Sequence, residues 1–493
     1  MDDYDVALAH GQLSARQLAE GAHGPALDNL ATALRLAPHA APLWAQFGEL
    51  IRYFSLRHPV PPEVRKLLTG ALGHPAVDPG NLVRPITTLA LSRADPFDEP
   101  LLLRLLEDVV VRDPALERLI TGARRRMLDK PLPLPVMTAI AHQCFNTEYV
   151  FDETPEERAK VEKLANSLVY ACYRPLKEAI PDASLTRRHI TEPAEERRLA
   201  ADIPSLTETH AGVSAAVRAQ YEENPYPRWV RMQTTLPTAP LAQVLKEMFP
   251  RENTPDGASI LVAGCGTGQN AIGTALRFAG ANVLAIDFST RSLGYALRKT
   301  REVGLQNVEY RRADILGLGG YGGRFDLIEC SGVLHHLQDP AEGLRILAGL
   351  RKPGGLMRIG LYSAAGRRQI ARARELIAAR GFRPDLEGIR ACRAALRDDP
   401  QFAQIVRNED FYSASGCRDL LFHVQEHNFT LPQIEAMLAR LGLRFLGFEF
   451  PDSGETMARF QGRFPGSTSL ADWAAFENDY PDTFGRMYQF WAA

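Results

Sequence analysis

Two carboxylates, three alternating glycines and a set of tyrosines and histidines are the residues of this 493-residue chain whose types and spacing could do chemistry. Gly264, Gly266 and Gly268 follow the apolar run 259–263 and precede a helical pattern over 270–279. A strand, tight turn and helix in that order leave the first N–H groups of the helix without partners, ready to receive a ligand's anionic or hydroxyl groups. Glycine serves there because the backbone must take positive φ or admit a ligand where a Cβ would stand. The bland alternative is a strand-to-helix corner that needs glycine only for packing. A second apolar run, 282–286, ends in Asp287, 19 residues after Gly268. That is near the ~20-residue spacing at which a carboxylate meets a ribose hydroxyl pair. Asp314 ends a third run, 308–313.

Three further groups lie around this turn in sequence. Tyr221 and Tyr226 belong to Tyr-Glu-Glu-Asn-Pro-Tyr-Pro-Arg-Trp (221–229), a segment stiffened by two prolines and richer in hydrogen-bonding and stacking groups than a linker requires. It reads as an arm folding over a ligand or as a packing arm. His335 and His336 follow the fourth apolar run, 325–329, where one could act as a general base near neutral pH or serve packing. Asp419, His423 and His427 are four apart, so a helix would place them in one polar stripe with Glu426 beside it. The same residues spell His-x-x-Glu-His, the inverzincin zinc-protease pattern. We set that reading aside, because no third ligand is evident and the segment interrupts another enzyme's sheet; no metal is expected. The stripe lines an acceptor pocket or forms a satisfied polar network.

Apolar runs at 259–263, 282–286, 308–313, 325–329 and 356–362 alternate with helical stretches, which predicts a parallel doubly wound sheet with its ligand at the carboxyl ends of the strands. Arg444 to Phe450 supplies a sixth strand, and the C-terminal Met487 to Trp491 an antiparallel seventh. The glycines do not form the dinucleotide pattern G-x-G-x-x-G, since Gln269 stands where its third glycine would be. Val262-Ala263-Gly264-Cys265-Gly266-Thr267-Gly268, Asp287, Ala313-Asp314, Phe325-Asp326-Leu327-Ile328 and Val333-Leu334-His335-His336-Leu337 follow one another in order. In this the chain resembles the class I S-adenosylmethionine-dependent methyltransferases, strongly over residues 220–362. The resemblance implies a Rossmann-like α/β sheet of seven strands with S-adenosylmethionine as cofactor. It further implies that Gly264, Cys265, Gly266, Gly268 and Ser331 contact the cofactor, that Asp287 holds the ribose hydroxyls, and that Asp314 accepts from the adenine amine.

The formal net charge of −2 predicts no electrostatic grip on nucleic acid or an anionic membrane. No apolar run reaches 18 residues, and the acidic start is unlike a signal peptide. Six scattered cysteines without a Cys-x-x-Cys pair fit neither a disulfide framework nor a zinc ribbon, so the cytoplasm is the expected compartment.

An all-α region is expected before the sheet. Ala26, Leu30, Ala33, Pro38, Trp44, Phe47, Gly48 and Ile51 resemble one and a half tetratricopeptide repeats within 1–58, although the period fades after Phe54 and a plain helical hairpin would read alike. Residues 59–204 predict helices at 63–72, 101–111, 116–128 and 156–173. The methyltransferase region is 205–493, with a helical insertion at 364–441. This layout resembles bacterial repeat-containing methyltransferases and bacterial protein lysine methyltransferases. It implies in-line methyl transfer to a polypeptide side chain, with the N-terminal helices docking the protein; Tyr221, Tyr226, His335, His423 and Glu426 are the catalytic candidates. The alternatives are a small-molecule acceptor and a non-catalytic interaction scaffold.

Overall fold

The structure, a computed structural model, describes residues 2–208, 213–250, 252–253, 257–450 and 454–493. Seven strands form one sheet: β1 (Ser259–Ala263), β2 (Asn282–Asp287), β3 (Val308–Arg312), β4 (Phe325–Ser331), β5 (Arg351–Tyr362), β6 (Phe445–Phe448) and β7 (Met487–Ala492). Their order is β3-β2-β1-β4-β5-β7-β6. The first five are mutually parallel, and β7 runs antiparallel between β5 and β6. β1 lies between β2 and β4, so the strand order reverses at its carboxyl end, where such sheets open a crevice for ligands. Two strands differ from expectation. β5 begins at Arg351 and carries Pro353-Gly354-Gly355 as an irregularity in its pairing with β4, not as a turn before the strand. β6 spans Phe445–Phe448 only, its register broken where Gly447 takes φ +149°.

The N-terminal part is helical. Helices Asp3–Ala19, His23–Leu36, Ala41–Ile51 and Pro62–Gly73 share one core, and Trp44 of the third lies against Gly70 of the fourth, its Nε1–H donating to the Pro38 carbonyl at 2.8 Å and its ring stacked on His74. The expected helix over 156–173 is two pieces, Pro155–Val161 and Leu168–Ala171. Ser167 caps the second piece by accepting the Tyr170 N–H, and Asn166 is drawn away to accept the Lys177 N–H. Side chains of these types offer the backbone an alternative to the helix.

The insertion does not sit on the sheet as one piece. Helices Arg368–Arg380, Leu386–Arg397 and Ala414–Phe422 send Ile370, Leu396 and Leu420 into the same apolar core as Leu106, Ile120 and Val150 of the N-terminal helices. Ion pairs seal the contact: Arg393 with Glu117 at 2.6 Å, Arg390 with Glu153 at 2.6 Å, and Arg397 with Asp152 at 2.9 Å. The last helix of the insertion, Leu431–Arg440, buries Leu431 and Ile434 in the core of the sheet instead. Each helix joins whichever neighbour covers its apolar stripe. Among the described residues no helix is long and apolar enough to cross a membrane.

Candidate functional site

The glycine turn is shaped by what lies on top of it. Gly266 takes φ +50°, and a Cβ there would stand 2.5 Å from the Tyr226 carbonyl oxygen, so the 221–229 arm rests directly on glycine backbone. Thr267 Oγ1 donates to the Pro227 carbonyl at 2.6 Å, and the Trp229 indole N–H donates to Thr267 Oγ1 at 3.1 Å. Glu222 accepts the Thr290 N–H at 2.7 Å, tying the start of the arm to the helix after β2. On its other side the arm meets the helical body, where Arg418 bonds Glu223 and Asn224, Arg231 bonds Asp108, and Tyr226 Oη donates to Asp410 at 3.0 Å.

Beneath the arm, at the carboxyl ends of β1, β2 and β4, lies a cavity of about 550 Å³. Tyr221, Tyr226, Gly264, Cys265, Gly266, Asp287, Asp314 and Ser331 stand on its wall. Gly268 does not. It takes φ +86° to begin the following helix, and a Cβ there would meet Ala296, so it serves the turn and helix packing. Asp287 accepts the Gly266 N–H through Oδ2 and the Ser289 N–H through Oδ1, both at 2.9 Å. Each oxygen keeps a lone pair for a hydroxyl donor. Burial pushes the Asp287 carboxyl up to about 6 against the pull of these backbone bonds. Asp314 Oδ1 accepts the Leu316 N–H at 3.0 Å. Glycine backbone at the end of β1, a carboxylate at the end of β2 and a second carboxylate after β3, side by side along one cavity wall, fit a nucleoside with an amino-acid tail.

The three remaining catalytic candidates, His335, His423 and Glu426, divide differently from the expected stripe. Helix Ala414–Phe422 stops before His423, because the next residues are drawn out to pair with the loop after β4, the His427 N–H donating to the His335 carbonyl at 2.8 Å. Asp419, His423 and His427 therefore do not share a helix face. Glu426 is not at the cavity: it is buried in a bidentate pair with Arg367 and a further bond to Arg374 at 2.7 Å. Its role is structural. His335 is also off the wall, fully buried with its ring stacked on Tyr362 at 3.7 Å. Among the described residues, the histidine that lines the cavity is His336. Sequence alone offers both members of the pair, and only the turn Leu334–His336 selects which one faces the cavity.

His423 and Asp419 do come together, off the wall, through Tyr221. Tyr221 Oη lies 2.5 Å from Asp419 Oδ1 and 3.2 Å from His423 Nε2. Burial pushes the Asp419 carboxyl up to about 7, opposed by the Tyr221 bond, and burial drives His423 down to about 3 and His336 well below its ordinary range. Donor atoms of His336, Asp419 and His423 lie within 4.8 Å of one another, a distance at which three such groups could hold a metal ion. Their orientation does not suit it. The two imidazoles are stacked at 3.6 Å with 17° between planes, so their in-plane lone pairs run side by side and do not converge on one point.

A second cavity, of about 570 Å³, adjoins the first across Tyr226, Tyr362, Met487 and Gln489. Asp410, Phe450 and Phe484 line it further out, with Asp482 and Arg486 exposed at its edge. Nothing in the sequence marks this space, which forms only where β5, β7 and the insertion meet.

Residues 260–355 match the family model described as a methyltransferase domain. The chain carries a class I S-adenosylmethionine-dependent methyltransferase domain. An uncharacterized protein of Synechococcus is 32% identical to it over 205 residues, which is 39% of this chain and 49% of that protein. A ubiquinone biosynthesis O-methyltransferase of Dechloromonas aromatica is 39% identical over 100 residues, 20% of this chain and 42% of the relative. The chain thus spans less than half the length of these curated relatives. Among solved structures, PKMT2 from Rickettsia typhi is similar with a TM-score of 0.41 and 18% identity, covering 52% of this chain and 55% of that one. The cofactor of the methyltransferase domain is S-adenosylmethionine, and Asp287, Asp314 and the 264–266 backbone are the residues that fit it.

Proposed function

We propose that the chain transfers the methyl group of S-adenosylmethionine to a nucleophilic side-chain nitrogen of a polypeptide. The supporting observation is the junction of the two cavities: the space beyond Tyr226 and Tyr362 leads out to the exposed residues Asp482 and Arg486, a route along which a long side chain can reach the cofactor cavity from a larger partner. When bound, S-adenosylmethionine supplies an electrophilic methyl group on a sulfonium. Asp287 and Asp314 would hold its nucleoside, and Tyr226, Tyr362 and His336 stand on the same cavity wall for the acceptor. The arm and the insertion cover the site and exclude water, so the chain contributes mainly alignment. The N-terminal helices, in this reading, offer the docking surface for the polypeptide.

A small-molecule acceptor is the second reading. The outer cavity is itself large enough to enclose one, and the ubiquinone O-methyltransferase relative acts, by its name, in making a small molecule. The test is labelled methyl transfer from S-adenosylmethionine into a fractionated host lysate, with Asp287→Ala as the inactive control. A chain starting near residue 205 is unsuited to this, since its insertion helices would lose the core they share with residues 7–185. Label in a polypeptide band supports the proposal. Label confined to the low-mass fraction overturns it in favour of the second reading. No transfer into either fraction would favour a non-catalytic scaffold.

A further inference from the structure

Resting on the reading of the chain as a methyltransferase, the geometry points to His336 Nε2 as the proton acceptor for the group being methylated, and to an acceptor that arrives uncharged. His336 Nδ1 lies 2.7 Å from the Gln425 carbonyl oxygen. A carbonyl only accepts, so Nδ1 carries the hydrogen and Nε2 a lone pair. That nitrogen has no partner in the protein, although the residue is 5% exposed and stands on the cavity wall. A buried acceptor left unpaired costs free energy, which a donor entering the cavity would recover. Because Nε2 has no hydrogen to give, it suits an N–H or O–H and not a carbonyl or an anion.

The groups around it are committed elsewhere. The Gln425 N–H donates to His423 Nδ1 at 3.1 Å, which places the hydrogen of His423 on Nε2. From there it donates to Tyr221 Oη, which donates in turn to Asp419 Oδ1. Every polar hydrogen of this relay points away from His336. Asp419 lies in the same buried cluster. These three are positioning residues.

The step balances as follows. The X–H bond of the acceptor breaks and its proton passes to Nε2, while a lone pair of X forms the bond to the methyl carbon. The carbon–sulfur pair stays on sulfur, so one positive charge moves from sulfonium to imidazolium, and solvent takes the proton after product leaves. An imidazole that burial, Arg367 and neighbouring histidines hold neutral is too weak a base to strip an ammonium. It is strong enough for a group whose X–H turns acidic as it is methylated: a hydroxyl, an amide or another imidazole.

The test uses the full chain, labelled with nitrogen-15 in histidine and saturated with S-adenosylhomocysteine, with His336→Gln and His336→Ala to assign the resonances. The expected spectrum shows His336 protonated on Nδ1 and bare on Nε2 between about pH 6 and 8, the range in which this burial keeps it neutral. In the labelled-methyl assay on host lysate, both variants should lose roughly 100-fold in rate, with S-adenosylhomocysteine affinity within about threefold of the parent and partial rescue of the alanine variant by added imidazole. An Nε2-protonated His336 overturns the assignment, as does a variant rate within about threefold of the parent. Label recovered as methyl-lysine overturns the uncharged acceptor. If the parent transfers no label at all, the methyltransferase reading fails, and the tautomer still decides His336.

Discussion

His336 and His423 lie face to face with ring centroids 3.6 Å apart and hold opposite tautomers, because the backbone of Gln425 accepts from one ring and donates to the other. The consequence is directional. One ring, on the cavity wall, keeps a nitrogen without a partner, and the other sends its hydrogen through Tyr221 toward Asp419.

Tyr221→Phe should therefore act through Asp419. The carboxyl stands at about 7 in the folded chain against an ordinary value of 3.8. A raised folded value contributes stability that is complete below the unfolded value and is lost as pH rises through the folded one. Removing the donor raises the folded value further, so the variant should lose about 1.5–3 kcal/mol relative to the parent above pH ~7, and much less near pH 5. Urea midpoints measured across that range check this, and a pH-independent difference would count against it.

Asp287 is expected to control cofactor affinity. Two charge-assisted hydroxyl bonds lost in Asp287→Ala should weaken S-adenosylhomocysteine binding by about 100-fold, measured by titration calorimetry. Only the ionised form accepts from both hydroxyls. With its carboxyl at about 6, affinity in the parent should hold above that pH and decline as pH falls through it, a decline absent from the alanine variant.

Gly266→Ala would push a Cβ into the Tyr226 carbonyl at a residue of positive φ. The arm must lift, and we expect cofactor binding to fall at least about tenfold with faster proteolysis within 221–231, the strain at such a site being on the order of 1–3 kcal/mol. Gly319→Ala, where a Cβ meets nothing within 4 Å, is the control and should bind as the parent does.

Glu426→Gln tests the structural role of that carboxylate. Arg367 and Glu426 have side chains only 1% and 2% exposed, so the variant leaves a buried guanidinium without its counter-charge. A loss of about 3–5 kcal/mol in unfolding free energy is expected, with cofactor affinity retained where the variant is folded.

The cofactor half of this site was legible in the chain because its determinants are local. Gly264, Gly266 and Asp287 are strand-end residues, and a parallel sheet brings the ends of β1 and β2 side by side whatever covers them. Gly268 shows the limit: its spacing is that of a ligand glycine, yet the turn uses it to start a helix. The acceptor half was poorly legible. The spacing of Asp419, His423 and His427 predicted one helical face, but the His427–His335 backbone bond ends the helix earlier.

What the sequence by itself determined is the sheet, its glycine turn, its two strand-end acids and the helical nature of residues 3–201, since periodicity and turn chemistry act over a few residues. Tertiary structure alone decided which histidine faces the cavity, that Glu426 is buried among arginines, and that the insertion completes the N-terminal core. Those outcomes depend on contacts such as Arg393 with Glu117 and Tyr221 with Asp419, between residues about two hundred or more apart in the chain. No local pattern encodes them, because each partner is satisfied only when the whole chain has packed.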